Sequence, residues 1–266
     1  MVILTNTNMS KRFTIGIDVD GVLRDNLQIM VDLYNKEFDG KMTVDDIKDF
    51  RTEITFPTIQ PLTGKTASEW FFQDHSNEIF LHANPFSNVA EDIKTLRDVA
   101  NVVIITYQKT LLNKTQTLEW LEKNGIEYDG IIFMKDKTKF LCDILVDDND
   151  WNFIGSNASY GVVINAPYNI SKDLSDIKES SNCKDMARFN NLHEFVVKFM
   201  ESPEHFLDSC YKYDVYCIHK TEDSWGTPWV CKSCFTQTEA DNTIEKLKLE
   251  DKKNGCDNFA YFVREH

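Results

Sequence analysis

The sequence predicts an α/β fold: a Rossmann-like parallel sheet flanked by helices, a small helical cap inserted after the first strand, and a small C-terminal α+β appendage. Three observations predict it. Short, continuous apolar runs alternate with helical patterns, as in strands buried on both faces. A mostly helical stretch, 25–84, separates the first such run from the rest. Beyond Ser202 the pattern turns to alternating strands around one long charged helix.

In chain order, Met1–Lys11 reads as a loose leader and residues 12–18 as the first strand. A helix starts near Asn26, with Leu27, Met30, Val31 and Tyr34 on one face. Thr43-Val-Asp-Asp46 and Thr66-Ala-Ser-Glu69 read as capping boxes, each opening a short helix. Ser87 or Asn88 caps a helix running to Ala100. Val102–Thr106 is a buried strand. A helix over 111–124 stops at Asn124-Gly125. Ile131–Phe133, Ile144–Val146 and Gly161–Ile164 are further buried strands, and Asn191–Glu201 is an amphipathic helix. Ser202-Pro203-Glu204 reads as a linker. Tyr213–His219 and Trp229–Phe235 pattern as a hairpin, Thr238–Lys253 as a helix and Phe259–Arg264 as a closing strand. The expected division is a core over 12–24 and 85–201, a cap over 25–84 and an appendage over 205–266.

Composition narrows the function. The 266 residues carry a net charge of −14, which repels a phosphodiester backbone and makes nucleic acid a poor partner. A small phosphorylated metabolite is easier to accept, since a bound cation cancels the local field. No run approaches the roughly 18 apolar residues of a membrane span. No basic stretch followed by a long apolar one opens the chain, so the expectation is a cytoplasmic protein with reduced thiols. Cys231-Lys-Ser-Cys234 lacks a second such pair, and ordinary thiols are expected over a zinc site. A homodimer remains open.

The chemistry concentrates at strand ends. In Ile15-Gly-Ile-Asp-Val-Asp-Gly-Val-Leu23 an apolar run ends in carboxylates at i and i+2, which point to the same side of a strand. Like charges so placed repel unless a cation sits between them. This is the pattern of a magnesium site with a carboxylate nucleophile; a plain acidic turn is the other reading. Thr106 ends a second run, and Asp147-Asp148 end a third. Lys137 lies ten residues before Asp147, in a loop or helix start that can bring it over the same edge. Parallel sheets bind ligands at the carboxyl ends of their strands, so these groups should meet at one edge.

In these residues the chain resembles the haloacid dehalogenase-like superfamily of aspartate-nucleophile phosphatases. Asp18-Val-Asp20-Gly-Val-Leu23 matches its first motif, Thr106 its second, Lys137 its third and Asp147-Asp148 its fourth. Lys137, in Asp136-Lys-Thr138, and the acid pair of Ile144-Leu-Val-Asp-Asp148 have the spacing of the 5′(3′)-deoxyribonucleotidase group. The resemblance covers about residues 12–200. It implies a Mg²⁺-dependent phosphomonoesterase acting through an aspartyl-phosphate on a 5′-(deoxy)nucleoside monophosphate. Asp18 is then the nucleophile and Asp20 the acid and base. Thr106, Tyr107 and Lys137 bind phosphate, and Asp18, Asp20, Asp148 and Asp147 hold the metal. Asn26 stands where the group carries an aromatic residue, and Tyr107 where it carries a small hydroxyl residue. Both are candidate substrate contacts.

Trp70, Phe71 and Phe72 either stack on a base or fill the cap's own core. A sugar phosphate, a polynucleotide 3′-phosphate, and a non-catalytic scaffold using the C-terminal module remain as other readings.

Overall fold

The computed structural model describes residues 2–4, 13–207, 213–219, 229–234, 237–253 and 259–265. It divides into two compact units, Met1–Pro203 and Glu204–His266.

In the first unit, strand β1 (Val2–Leu4) precedes β2 (Thr14–Ile17). An insertion follows: α1 (Asn26–Phe38), α2 (Thr52–Thr55), α3 (Ile59–Thr63), α4 (Ala67–Glu69), then π-helical turns over Trp70–Asp74 and Glu78–His82. After it come α5 (Val89–Val99), β3 (Asn101–Thr106), α6 (Leu111–Lys123), β4 (Gly130–Phe133), β5 (Ile144–Asp147), β6 (Tyr160–Ile164), α7 (Leu174–Ser180), β7 (Asp185–Phe189) and α8 (Leu192–Glu201).

The sheet order is β1-β4-β3-β2-β5-β6-β7. Six strands run parallel and β1 is antiparallel to β4. Thus β2 lies centrally, with Ile17 paired to Ile104 of β3 and Val146 of β5. The apolar runs are buried on both faces: Ile17, Ile104 and Val146 are enclosed on one face, and Ile105 and Leu145 on the other. The chain leaves β2 for β3 on one side and later returns to β5 on the other, so the crevice of this fold lies past the end of β2.

The insertion's two stems pair with each other. Asp25 N–H bonds Asn84 O at 2.9 Å, and Phe86 N–H bonds Leu23 O at 2.9 Å. Within it, Met30, Val31, Ile47, Phe56, Ile59, Trp70, Phe71 and Ile79 form a core of their own. The Thr66/Glu69 capping box is closed in both directions; the Thr43/Asp46 box opens a 3-10 turn (Val44–Asp46).

Two sequence expectations need correction, and two elements went unread. Val2–Leu4 is not a loose leader but an edge strand, because its backbone pairs antiparallel with residues 130–132 of β4. Ser202-Pro203-Glu204 is not a plain linker: Pro203 occupies the first turn of α9 (Pro203–Leu207), a position where its missing N–H costs nothing. β7 and α7 went unread; β7 buries Met186 and Phe189 but leaves Asp185, Ala187 and Arg188 partly exposed.

In the second unit, β8 (Tyr213–His219), β9 (Trp229–Cys234), α10 (Gln237–Lys253) and β10 (Phe259–Glu265) form an antiparallel sheet in the order β10-β8-β9 with a helix. Ala240, Ile244 and Leu247 of the helix pack with Tyr261 and Val263. The side chains of Cys231 and Cys234 lie outside the described ones. Among the described residues no helix is long and apolar enough to cross a membrane.

Candidate active site

β2 ends as its buried Ile17 gives way to Asp18, whose N–H bonds Val146 O at 3.0 Å. The chain then turns sharply. The N–H groups of Leu23 and Arg24 both bond Val19 O at 2.9 Å. Gly21 takes φ +79°, a left-handed value that favours glycine. A Cβ added there would also run into the Asp148 carboxylate, so the turn and that acid are packed as closely as backbone allows.

Asp18, Lys137 and Asp147 form one buried cluster. Lys137 Nζ lies 2.5 Å from Asp18 Oδ2 and 2.8 Å from Asp147 Oδ2. Lys137 comes from a 3-10 turn (Lys137–Lys139) after β4, which places it over the ends of β2 and β5. Burial works to discharge its ammonium, but Asp147 and Asp18 outweigh that and hold it protonated. Burial pushes the Asp18 carboxyl up to about 7; Lys137 opposes the rise, and Asp147 and Asp20 add to it. Asp147 uses both oxygens within the protein. Oδ1 accepts from Asn149 N–H and from Asn152 Nδ2, each at 2.9 Å, and Oδ2 accepts from Lys137.

Asp148 is held from β6 and the loop beyond it. Tyr168 donates its hydroxyl to Asp148 Oδ2. Asn169 donates to the Asp148 carbonyl at 2.5 Å and to Ile164 O at 2.8 Å. Burial raises the Asp148 carboxyl well above its ordinary value, and the charges of Asp147 and Asp18 raise it further.

The carboxylates of Asp18, Asp147 and Asp148 each bring an oxygen within 4.8 Å of the others. These three buried acids face one buried ammonium, and such an excess of negative charge is costly unless a cation or protons compensate it. An all-oxygen donor set with a rigid turn beside it fits a hard divalent cation such as Mg²⁺. Asp20 stands apart from this cluster: its oxygens accept from Arg24 and Gln108.

Next to the cluster lies a cavity of about 250 Å³ lined by Asp18, Asp20, Thr106, Lys135, Lys137 and Asp148, among others. It adjoins a larger one of about 700 Å³ between cap and core. Both are lined by Asp20, Asn26, Phe50, Thr52, Phe72 and Tyr107. Thr106 is buried at the end of β3, and Tyr107 beside it is 46% exposed. Asn26 opens α1, and its Oδ1 is buried with no hydrogen-bond partner among the described residues. The aromatic triplet divides. Trp70 packs on Phe38 and Phe71, with ring centroids 5.3 and 4.8 Å away, and Phe71 is fully enclosed. Both belong to the cap core and neither lines either of these two cavities; Phe72 lines both. Consecutive helical residues fan out around the axis, so one face could not take all three.

These groups converge in the part of the chain that known proteins share. The family described as "5′ nucleotidase, deoxy (Pyrimidine), cytosolic type C protein" matches residues 12–192 of the 266. The chain belongs to this 5′-nucleotidase family. It is a phosphoric monoester hydrolase of haloacid dehalogenase-like fold. A 5′(3′)-deoxyribonucleotidase of Clostridium acetobutylicum is 29% identical over 143 residues, which is 52% of this chain and 74% of the relative. A haloacid dehalogenase-like family hydrolase from Streptococcus pneumoniae shares the fold at 16% identity, with a TM-score of 0.50 over 71% of this chain and 98% of that one.

In this 5′-nucleotidase several residues at the site went unread in the sequence: Arg24, Gln108, Asn152, Tyr168 and Asn169. Arg24 follows the apolar pair Val22-Leu23, a faint signal for a charge held close to the core. The rest sit in loops or, for Asn152, a 3-10 turn, where an Asn, Gln or Tyr reads as an ordinary solvated residue.

Proposed function

We propose that the protein is a Mg²⁺-dependent phosphomonoesterase that dephosphorylates a 5′-(deoxy)nucleoside monophosphate through an aspartyl-phosphate on Asp18. One observation carries the reading: Asp18 ends the central strand, beside Lys137 and within reach of Asp148, with its cavity opening under the cap. The deoxyribonucleotidase relative supports the nucleotide as substrate.

Asp18 attacks phosphorus as the bond to the leaving alkoxide breaks, which splits hydrolysis into two easier displacements. Asp20 gives the alkoxide a proton, then takes one from the water that cleaves the aspartyl-phosphate. Thr106 and Lys137 bind the phosphate oxygens, and Lys137 restrains the carboxylate cluster. Asp18, Asp148 and the backbone carbonyl of Asp20 would hold Mg²⁺, with Asp147 anchoring Lys137 beside them. When bound, the cation offsets repulsion between the attacking carboxylate and the phosphate dianion. Phe72, Asn26 and Tyr107 line the space for the nucleoside. Lys137 and Asp147 also keep bulk water from one side of Asp18, since both are buried against it.

The test is phosphate release from nucleoside monophosphates, sugar phosphates and a 3′-phosphorylated oligonucleotide, with Mg²⁺ and with EDTA. Release from nucleoside monophosphates that EDTA abolishes is expected. Preference for the sugar phosphate or the oligonucleotide, or release unaffected by EDTA, would overturn the reading.

A further inference from the structure

We infer that Arg24 is the positioning residue for Asp20, locking the acid's carboxylate in one orientation by tying it to the cap. The inference rests on the proposed role of Asp20 in proton transfer.

Arg24 is 0% exposed, in a chain with six arginines. Its guanidinium is bound on every side. Nε and Nη2 both lie 2.9 Å from Asp20 Oδ1. Nη1 donates to the Phe80 carbonyl at 2.7 Å, and Thr117 Oγ1 lies 3.4 Å from Nη2. The flat cation sits between two rings, 5.2 Å from the Phe80 centroid and 5.1 Å from that of Trp120. Trp120 in turn donates its indole N–H to Ala83 O at 2.7 Å. Thus one side chain joins the acid, the π-helical end of the cap and helix α6.

Magnitude argues against a merely structural arginine. An apolar side chain would fill a slot between two aromatic rings at no electrostatic cost, whereas a buried guanidinium costs several kcal/mol unless it is paired. Among the described residues, Asp20 is the carboxylate that pairs with it. The charge therefore has its purpose at Asp20.

The donors also decide which oxygen acts. A guanidinium offers N–H groups only. Nε donates to Oδ1 and Nη2 lies equally close to the same oxygen, which is kept as an acceptor. Oδ2 is left for the leaving group and water. Gln108 Nε2 touches Oδ2 at 2.9 Å, and as a single amide on a cavity wall it can be displaced by substrate. With Oδ1 fixed, rotation of the carboxylate away from the reacting phosphorus is blocked.

The test separates this role from general support of the fold. Burst release of the leaving group is measured for a nucleoside monophosphate, whose alkoxide needs a proton, and for dinitrophenyl phosphate, whose phenolate does not. Arg24→Lys and Arg24→Met are expected to slow the first by about 100-fold and the second by less than about 3-fold. Equal loss on both substrates would overturn the inference and leave the phosphatase reading intact. A wild-type protein inert on both would overturn the two together. If Arg24→Met does not fold, Arg24→Gln gives the second readout, with a loss of about tenfold or more expected on the nucleotide alone. An equal loss on both substrates there counts against the inference in the same way.

Discussion

Lys137 Nζ sits 2.5 Å from Asp18 Oδ2, and the same ammonium lies 2.8 Å from Asp147. A single buried cation thus holds the ends of β2 and β5 together. Replacing Lys137 with Met leaves two buried carboxylates without it. Breaking such a cluster by removing one partner costs about 3–5 kcal/mol. Urea unfolding in EDTA should show a loss of that size, and a loss below about 1 kcal/mol would mean that the cluster is not electrostatically coupled.

Asp18→Asn should separate activity from stability. Turnover is expected to fall by at least about a thousandfold, because an amide is no nucleophile. The melting temperature should not fall. Burial already disfavours the Asp18 charge, and Asp147 and Asp20 disfavour it further, while Lys137 keeps Asp147 as a partner. Parallel assays and thermal melts check both halves.

The Asp18 carboxyl, at about 7 in the fold against 3.8 in a free chain, ties stability to pH. Between those values the metal-free native state binds more protons than the unfolded chain. Its stabilising contribution is therefore complete below the lower value and is lost as pH rises through the upper one. Melts in EDTA should fall in temperature from pH 5 to pH 8, and Mg²⁺ should restore more at pH 8, where protons no longer compete for the site. A Mg²⁺ shift that is larger at pH 5 would contradict this.

Gly21→Ala should damage the proposed metal site from outside its ligand set. The new Cβ meets Asp148, and φ +79° strains any residue other than glycine. About 1–3 kcal/mol of stability should be lost, and Mg²⁺ affinity should drop by about 10–100-fold. Calorimetric titration with Mg²⁺ measures the second quantity.

The sheet and the site differ in how far the sequence reveals them. Asp18, Thr106 and Asp147 were legible because each ends a continuous apolar run, and parallel topology brings such ends to one edge. The capping boxes at Thr43 and Thr66 were legible because their bonds are local. Arg24 was not, because its meaning lies in Phe80, Thr117 and Trp120, which only folding brings near. Tyr168 was hidden for the same reason: it reaches Asp148 from beyond β6. The aromatic run at 70–72 could not be divided from the sequence alone: adjacent helical residues point in different directions, so Trp70 and Phe71 turn inward while Phe72 meets the cavity.

The most direct measurement is to quench the protein in acid during turnover of a nucleoside monophosphate with Mg²⁺ and map phosphoryl groups by peptide mass. A phosphoryl adduct on the peptide carrying Asp18, absent from Asp18→Asn, is the expected result. Full turnover by Asp18→Asn, or an adduct on another side chain, would contradict Asp18 as the nucleophile.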